Sequence, residues 1–138
     1  MILRVIQDQL SQRIGKGKAI LLVGPRQVGK STLLKVVQNE QNQDTLFLNC
    51  DEPDIRRKLE NVTSDQLKAL IGKNTLVMID EAQKVENIGQ TLKLIVDNLK
   101  QVQVIATGSS AFELRNKTNE PLTGRKFEFN LYPFSIAE

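Results

Sequence analysis

With 138 residues, about 40% of them apolar, the chain has the size of one compact domain and no room for a second. Nineteen Lys and Arg against sixteen Asp and Glu leave a net charge of +3, too small and too dispersed to mark a nucleic-acid surface on its own. One cysteine and no histidine exclude an internal disulfide, the usual zinc ligand sets and any histidine base, so chemistry here falls to carboxylates, lysine, arginine or a metal ion.

From the N-terminus, Leu3, Ile6, Leu10 and Ile14 recur at spacings of three and four, which predicts an amphipathic helix over residues 2–14, ended by "GKGK". Five short apolar runs follow: "AILLVG" from Ala19, "TLFLN" from Thr45, "TLVMID" from Thr75, "VQVIAT" from Val102 and "KFEFNL" from Lys126. The first four are continuous and rich in branched side chains, the pattern of strands buried on both faces of a parallel sheet. The fifth alternates Phe127, Phe129 and Leu131 with charged or polar residues, as an edge strand does. Helical segments lie between them: "STLLKVVQNE", "IRRKLE", "SDQLKALI" with Thr63 and Gln66, or Ser64, at its start, and "ENIGQTLKLIVDNLK" with Ile88, Leu92, Ile95 and Leu99 on one face. This alternation predicts a doubly wound, three-layer α/β domain. Cys50, inside "TLFLNC", reads as a small core residue. No apolar run approaches the length of a membrane span and "MILRVIQDQL" lacks the pattern of a signal peptide, so a cytoplasmic protein is expected.

Between the first strand and the first helix after it, Gly24, Gly29, Lys30 and Ser31 complete G-x-x-x-x-G-K-[ST], in the strand-to-helix setting this phosphate-binding pattern requires. Glycines let backbone wrap a triphosphate and turn N–H groups inward, and the following helix adds its positive end. The expected contacts run over Gly24, Pro25, Arg26, Gln27, Val28, Gly29, Lys30, Ser31 and Thr32. Lys30, read as a solvent-facing ligand, bridges the β- and γ-phosphates; the Ser31 hydroxyl binds Mg²⁺; Thr32 touches the α-phosphate. Arg26 is either a phosphate contact or a solvated residue over the loop.

"LVMIDEAQ" ends four apolar residues in Asp80 and Glu81, at the strand end where α/β sheets bind ligands. Alone, two acids there are often a solvated strand end; paired with the loop they read as Walker B, with Asp80 holding Mg²⁺ and Glu81 orienting or deprotonating the attacking water. "VQVIATGSSAFELR" ends a further strand in Thr107, Ser109 and Ser110. A γ-phosphate sensor fits there, and so does a plain helix cap by Ser109 or Ser110. Guanine specificity is disfavoured because "NKTN", Asn116 to Asn119, lacks the carboxylate that accepts guanine's donors. ATP is the expected nucleotide.

"GPRQVGKSTLL", "VMIDEAQKVENIGQTLKLIVDN", "ATGSSAFEL" and "LTGRKFEFNLYPFSIAE" together resemble the nucleotide-binding core of the prokaryotic AAA-type P-loop ATPases that usually carry a C-terminal domain of unknown function. The resemblance covers nearly the whole chain. It implies a parallel five-stranded sheet in the order 5-1-4-3-2 with helices on both faces. That order places Ser109 where a strand between the two Walker strands reaches the γ-phosphate. It also implies that Arg125, in "LTGR", is the sensing or finger arginine, against a solvated arginine that begins an edge strand. Relatives of this type continue well past the "YPFS" segment, so residues 1–138 are expected to be one ATP-binding core domain, a fragment without the lid and accessory domain.

Three functions compete at this point. The first is slow Mg-ATP hydrolysis coupled to a conformational change, with ATP and ADP as ligands, a homo-oligomer or a protein or DNA partner in reach, and no membrane. The second is a nucleotide switch or nucleic-acid-associated scaffold without turnover, which would not need Glu81. The third is a small-molecule kinase or a helicase motor; a kinase usually adds an arginine-rich lid, and residues 111–125 hold only Arg115, Lys117 and Arg125 as cations.

Overall fold

The computed structural model describes residues 2–25 and 29–131. In chain order its elements are α1 (Ile2–Arg13), β1 (Ala19–Val23), α2 (Lys30–Gln41), β2 (Thr45–Asn49), α3 (Pro53–Leu59), α4 (Ser64–Ile71), β3 (Leu76–Asp80), a 3-10 turn (Ala82–Lys84), α5 (Ile88–Asn98), β4 (Gln103–Gly108), α6 (Ala111–Thr118) and β5 (Lys126–Asn130). The expected boundaries hold to within a few residues. Thr63 caps α4 through a capping box with Gln66, each side chain bonding the other's backbone N–H.

The five strands form one parallel sheet in the order β2-β3-β4-β1-β5, the 5-1-4-3-2 order that the resemblance implied. Strand alternation splits the core in two. One face of the sheet, with Leu21, Val77, Ile79, Val104 and Ala106, packs under α3 to α6 against Leu59, Leu67, Ile88, Leu92, Ile95 and Leu114. The other, with Ile20, Leu22, Leu76, Met78 and Ile105, packs under α1 and α2 against Leu10, Leu33, Leu34 and Val37. β1 and β4 are buried along their whole length, as the continuous apolar runs predict.

β2 departs from that expectation. It reads like the other buried strands, yet it is the sheet's edge, and Phe47 is 50% exposed. Leu46 and Leu48 of "TLFLN" turn into the core under α3 to α6 while Phe47 faces the other way, and nothing in the pattern marks the missing neighbour. β5 is the other edge, with Phe127 and Phe129 on the α1 side and Lys126 and Glu128 turned toward α6 and the loop before β5, where they meet Arg115 and Asn119.

Cys50 is fully buried. Burial, with the nearby Asp80 charge second, pushes its thiol up to about 12, so it stays protonated and inert. A thiol reagent at pH 8 should leave folded protein unmodified and label it at full stoichiometry in denaturant, as an absorbance assay would read.

Candidate active site

β1, β4 and β3 lie side by side, and their C-terminal ends bring the sequence-predicted residues to one edge of the sheet. At the end of β1, Gly24 donates its N–H to the Gly108 carbonyl at the end of β4 (3.0 Å). The chain leaving β5 passes directly over it: Leu131 N–H bonds the Val23 carbonyl (2.7 Å), and a Cβ on residue 24 would stand 2.4 Å from the Leu131 oxygen. A backbone crossing therefore demands glycine at position 24 whether or not phosphate does. Gly29, at φ 84°, turns the chain into α2, which no side chain caps, so the helix presents its first N–H groups to the loop. Pro25 is exposed at the loop's start, and Ser31 and Thr32 are exposed in the first turn of α2. Arg26, Gln27 and Val28 lie outside the described residues.

Lys30 differs from expectation. Its side chain folds back along the loop and is 4% exposed; Nζ donates to the Gly24 carbonyl (2.6 Å) and stands 4.0 Å from Glu81 Oε2. The lysine is buried because the carboxylate it faces is buried too, each compensating the other's desolvation.

Glu81 sits at φ 56°, left-handed backbone that a side chain rarely adopts, at the head of the 3-10 turn Ala82–Lys84. That twist brings its carboxylate back into the sheet edge, 3% exposed, at a backbone cost of about 1–2 kcal/mol. Two hydroxyls of β4 and the turn after it, two residues apart and so on one side of the strand, hold the acids. Thr107 accepts the Glu81 N–H (3.2 Å) and donates to Asp80 Oδ1. Ser109 donates to Glu81 Oε1 (2.7 Å). Ser110, not Ser109, caps α6, accepting the Glu113 N–H (3.3 Å). The cap thus falls to Ser110, while Ser109 turns to Glu81.

Gln83, which the sequence reasoning passed over, belongs to this cluster: Nε2 donates to Glu81 Oε1 (2.8 Å) and to Ser109 Oγ (3.2 Å). Only its place two residues after Glu81 hinted at it.

Arg125 lies elsewhere. β5 runs parallel to β1 with Lys126 opposite Ala19, so Arg125 is at the sheet's N-terminal edge, its carbonyl accepting the Ala19 N–H (2.8 Å). β1 rises about 13 Å from there to the loop. The guanidinium pairs with Asp97 on α5 (2.9 Å). Of the two readings of Arg125, the sensing or finger arginine and the arginine that begins an edge strand, this placement sets the residue away from its own chain's loop. "LTGR" precedes a strand whose far end, not its start, approaches the loop.

The donor set suits a hard cation carried by phosphate: a serine hydroxyl on the first turn of α2 and one carboxylate, Asp80. No group of three or more acids, cysteines or histidines that could hold a metal is found among the described residues. Mg²⁺ takes one or two protein oxygens and fills its remaining sites from phosphates and water, and Ser31 and Asp80 fit that share.

The sequence model of the AAA domain matches residues 16–138. The chain belongs to the AAA-domain family. An uncharacterized protein of Mycobacterium tuberculosis is 30% identical to this AAA domain over 118 residues, 85% of the chain and 25% of that protein. The replication factor C large subunit of Methanococcus vannielii is 35% identical over 71 residues, 50% of the chain and 14% of that protein. The AAA domain thus spans a quarter or less of the length of these relatives. Among solved structures, the Walker-type ATPase of Pyrococcus abyssi superposes with a TM-score of 0.65 at 19% identity, covering 95% of this chain and 53% of that one. Drosophila ORC bound to DNA gives 0.66 at 11% identity, covering 94% and 89%; at such identities these two show the shared fold. The chain is an AAA-type nucleotide-binding core on a P-loop α/β sheet. No helix among the described residues is long and apolar enough to cross a membrane.

Proposed function

We propose that this AAA domain binds Mg-ATP and hydrolyses it slowly, as the motor core of a longer protein. The reading is carried by one observation: the buried pair of Lys30 and Glu81, 4.0 Å apart at the mouth of the loop, with Asp80 beside it on β3. A cation and a carboxylate buried face to face are costly to maintain for stability alone. Between a γ-phosphate and its attacking water they have work: Lys30 spreads the phosphate's charge, and Glu81 takes the water's proton. The water oxygen bonds to the γ-phosphorus, the bond to the β-γ bridging oxygen breaks, and ADP leaves with that electron pair. Mg²⁺ bound through Ser31 and Asp80 would supply charge neutralisation on the phosphates. Gly24, Pro25, Arg26, Gln27, Val28, Gly29 and Thr32 complete the cradle in this reading, and Ser109 acts through Glu81.

Arg125 cannot serve its own loop, so in this proposal it serves a neighbouring copy. Its position at the sheet's far edge, paired across the surface with Asp97 (side chains 37% and 36% exposed) and bonded to the Thr123 carbonyl, supports that reading. The rate of phosphate release per chain should rise with protein concentration, and Arg125→Ala should remove the rise without weakening ATP binding. Finger arginines contribute on the order of 10³ to 10⁵ in rate. A flat rate per chain, identical in Arg125→Ala, would show a surface residue only. Stability gives the control. The Arg125 hydrogen bond holds the Asp97 carboxyl below its ordinary 3.8, so the pair stabilises above that pH and its contribution is lost as acid protonates Asp97. Urea unfolding should show a loss of about 0.2–1 kcal/mol for Arg125→Ala near pH 7, and a smaller one as acid protonates Asp97.

The Drosophila ORC neighbour is described as bound to DNA, which supports DNA as the first partner to add. Turnover measured with and without duplex DNA tests the proposal directly. Nucleotide binding without any turnover, under all of these conditions, would favour the switch.

A further inference from the structure

Gln83 is 95% buried, and its Oε1 is the buried side-chain polar atom without a hydrogen-bond partner among the described residues. It lies against β4, where a Cβ on Gly108 would stand 2.9 Å from it. An orphaned buried acceptor is a cost that a leucine or methionine would not carry, and it offsets what the amide's donor end contributes. Stability therefore does not explain an amide at this position.

Its other end explains it. Nε2 divides its two protons between Glu81 Oε1 and Ser109 Oγ, and Ser109 in turn donates to the same Oε1. Both donors converge on one oxygen of the carboxylate. The other, Oε2, is thereby the oxygen turned toward Lys30. The 3-10 turn that carries Gln83 is itself fastened: Lys117 Nζ, on α6, donates to the Gln83 carbonyl (2.6 Å) and the Val85 carbonyl (3.3 Å). A side chain anchored at its backbone can fix the rotamer of its neighbour.

We propose that Gln83 is a positioning residue for hydrolysis, holding Oε1 of Glu81 so that Oε2 is the atom presented to the attacking water. The inference rests on Glu81 being the base. Gln83→Leu and the longer Gln83→Met should unfold cooperatively at a urea concentration close to the parent's, bind a fluorescent ATP analogue with the parental dissociation constant, and release γ-phosphate about 10- to 100-fold more slowly in single turnovers of the full chain, the loss that misplacing a reacting group brings. Gln83→Glu, which keeps the shape and replaces the donor by an acceptor, should be as slow. Glu81→Gln, run in parallel, separates the two claims. If Glu81→Gln turns over at the parental rate, the base assignment fails and this inference with it. If Glu81→Gln is slow while the Gln83 variants keep the parental rate, or lose rate only in proportion to nucleotide affinity, the positioning role alone is overturned.

Discussion

Lys30→Ala should abolish the stabilisation of this domain by Mg-ATP. At 100 times its dissociation constant the nucleotide stabilises the parent by about 2.7 kcal/mol, roughly 10 °C in melting temperature for a chain of this size, and the variant should not move. The burial of Lys30 adds a second effect. Removing the ammonium leaves the Glu81 carboxylate buried, 3% exposed, without the cation 4.0 Å away, so the variant without nucleotide should also melt lower, by about 1–3 kcal/mol. Lys30→Met, combined with Glu81→Gln, removes both charges and should recover most of that loss while still failing to respond to ATP. A Lys30→Ala protein that shifts with ATP as the parent does would remove the loop from the site.

Glu81→Gln should keep ATP binding and lose about 10²- to 10⁴-fold in phosphate release, the range over which a positioned base acts. The substitution conserves shape, and its amide oxygen can still accept from Gln83 and Ser109. Asp80→Asn should behave differently, raising the Mg²⁺ concentration needed for nucleotide binding, because in the proposed function Asp80 contributes an oxygen to the ion and not to the proton transfer. Coloured-phosphate assays and Mg²⁺ titrations separate the two. Equal turnover in the parent and Glu81→Gln would leave the domain as a switch.

The strand-to-helix setting of Gly24 and Gly29 and the strand end at Asp80 and Glu81 were legible in the sequence because each is contiguous, a strand followed by a turn and a helix. The five strands were legible for the same reason. Their order was not, since "AILLV", "LVMID" and "QVIATG" bury alike and only the family resemblance ordered them; β2, equally apolar, is an edge. Residues whose roles depend on distant partners were harder. Gln83 acts on Glu81 nearby but shares it with Ser109, 26 residues on. Lys30 looked solvent-facing because nothing local reveals that Glu81, 51 positions later, closes over it. Arg125 followed a recognisable "LTGR", yet which end of the sheet a strand begins from is a property of the parallel topology.

Four residues other than glycine among those described adopt left-handed backbone: Asn42, Asn61, Asn87 and Glu81. Three are asparagine, the side chain that tolerates such angles best. Glu81 alone violates that preference, and it also buries a charge. A library of variants sorted only for resistance to heat should accordingly drift toward asparagine at position 81, exchanging the proposed base for a relaxed turn, and the persistence of glutamate there would mark selection for turnover over durability.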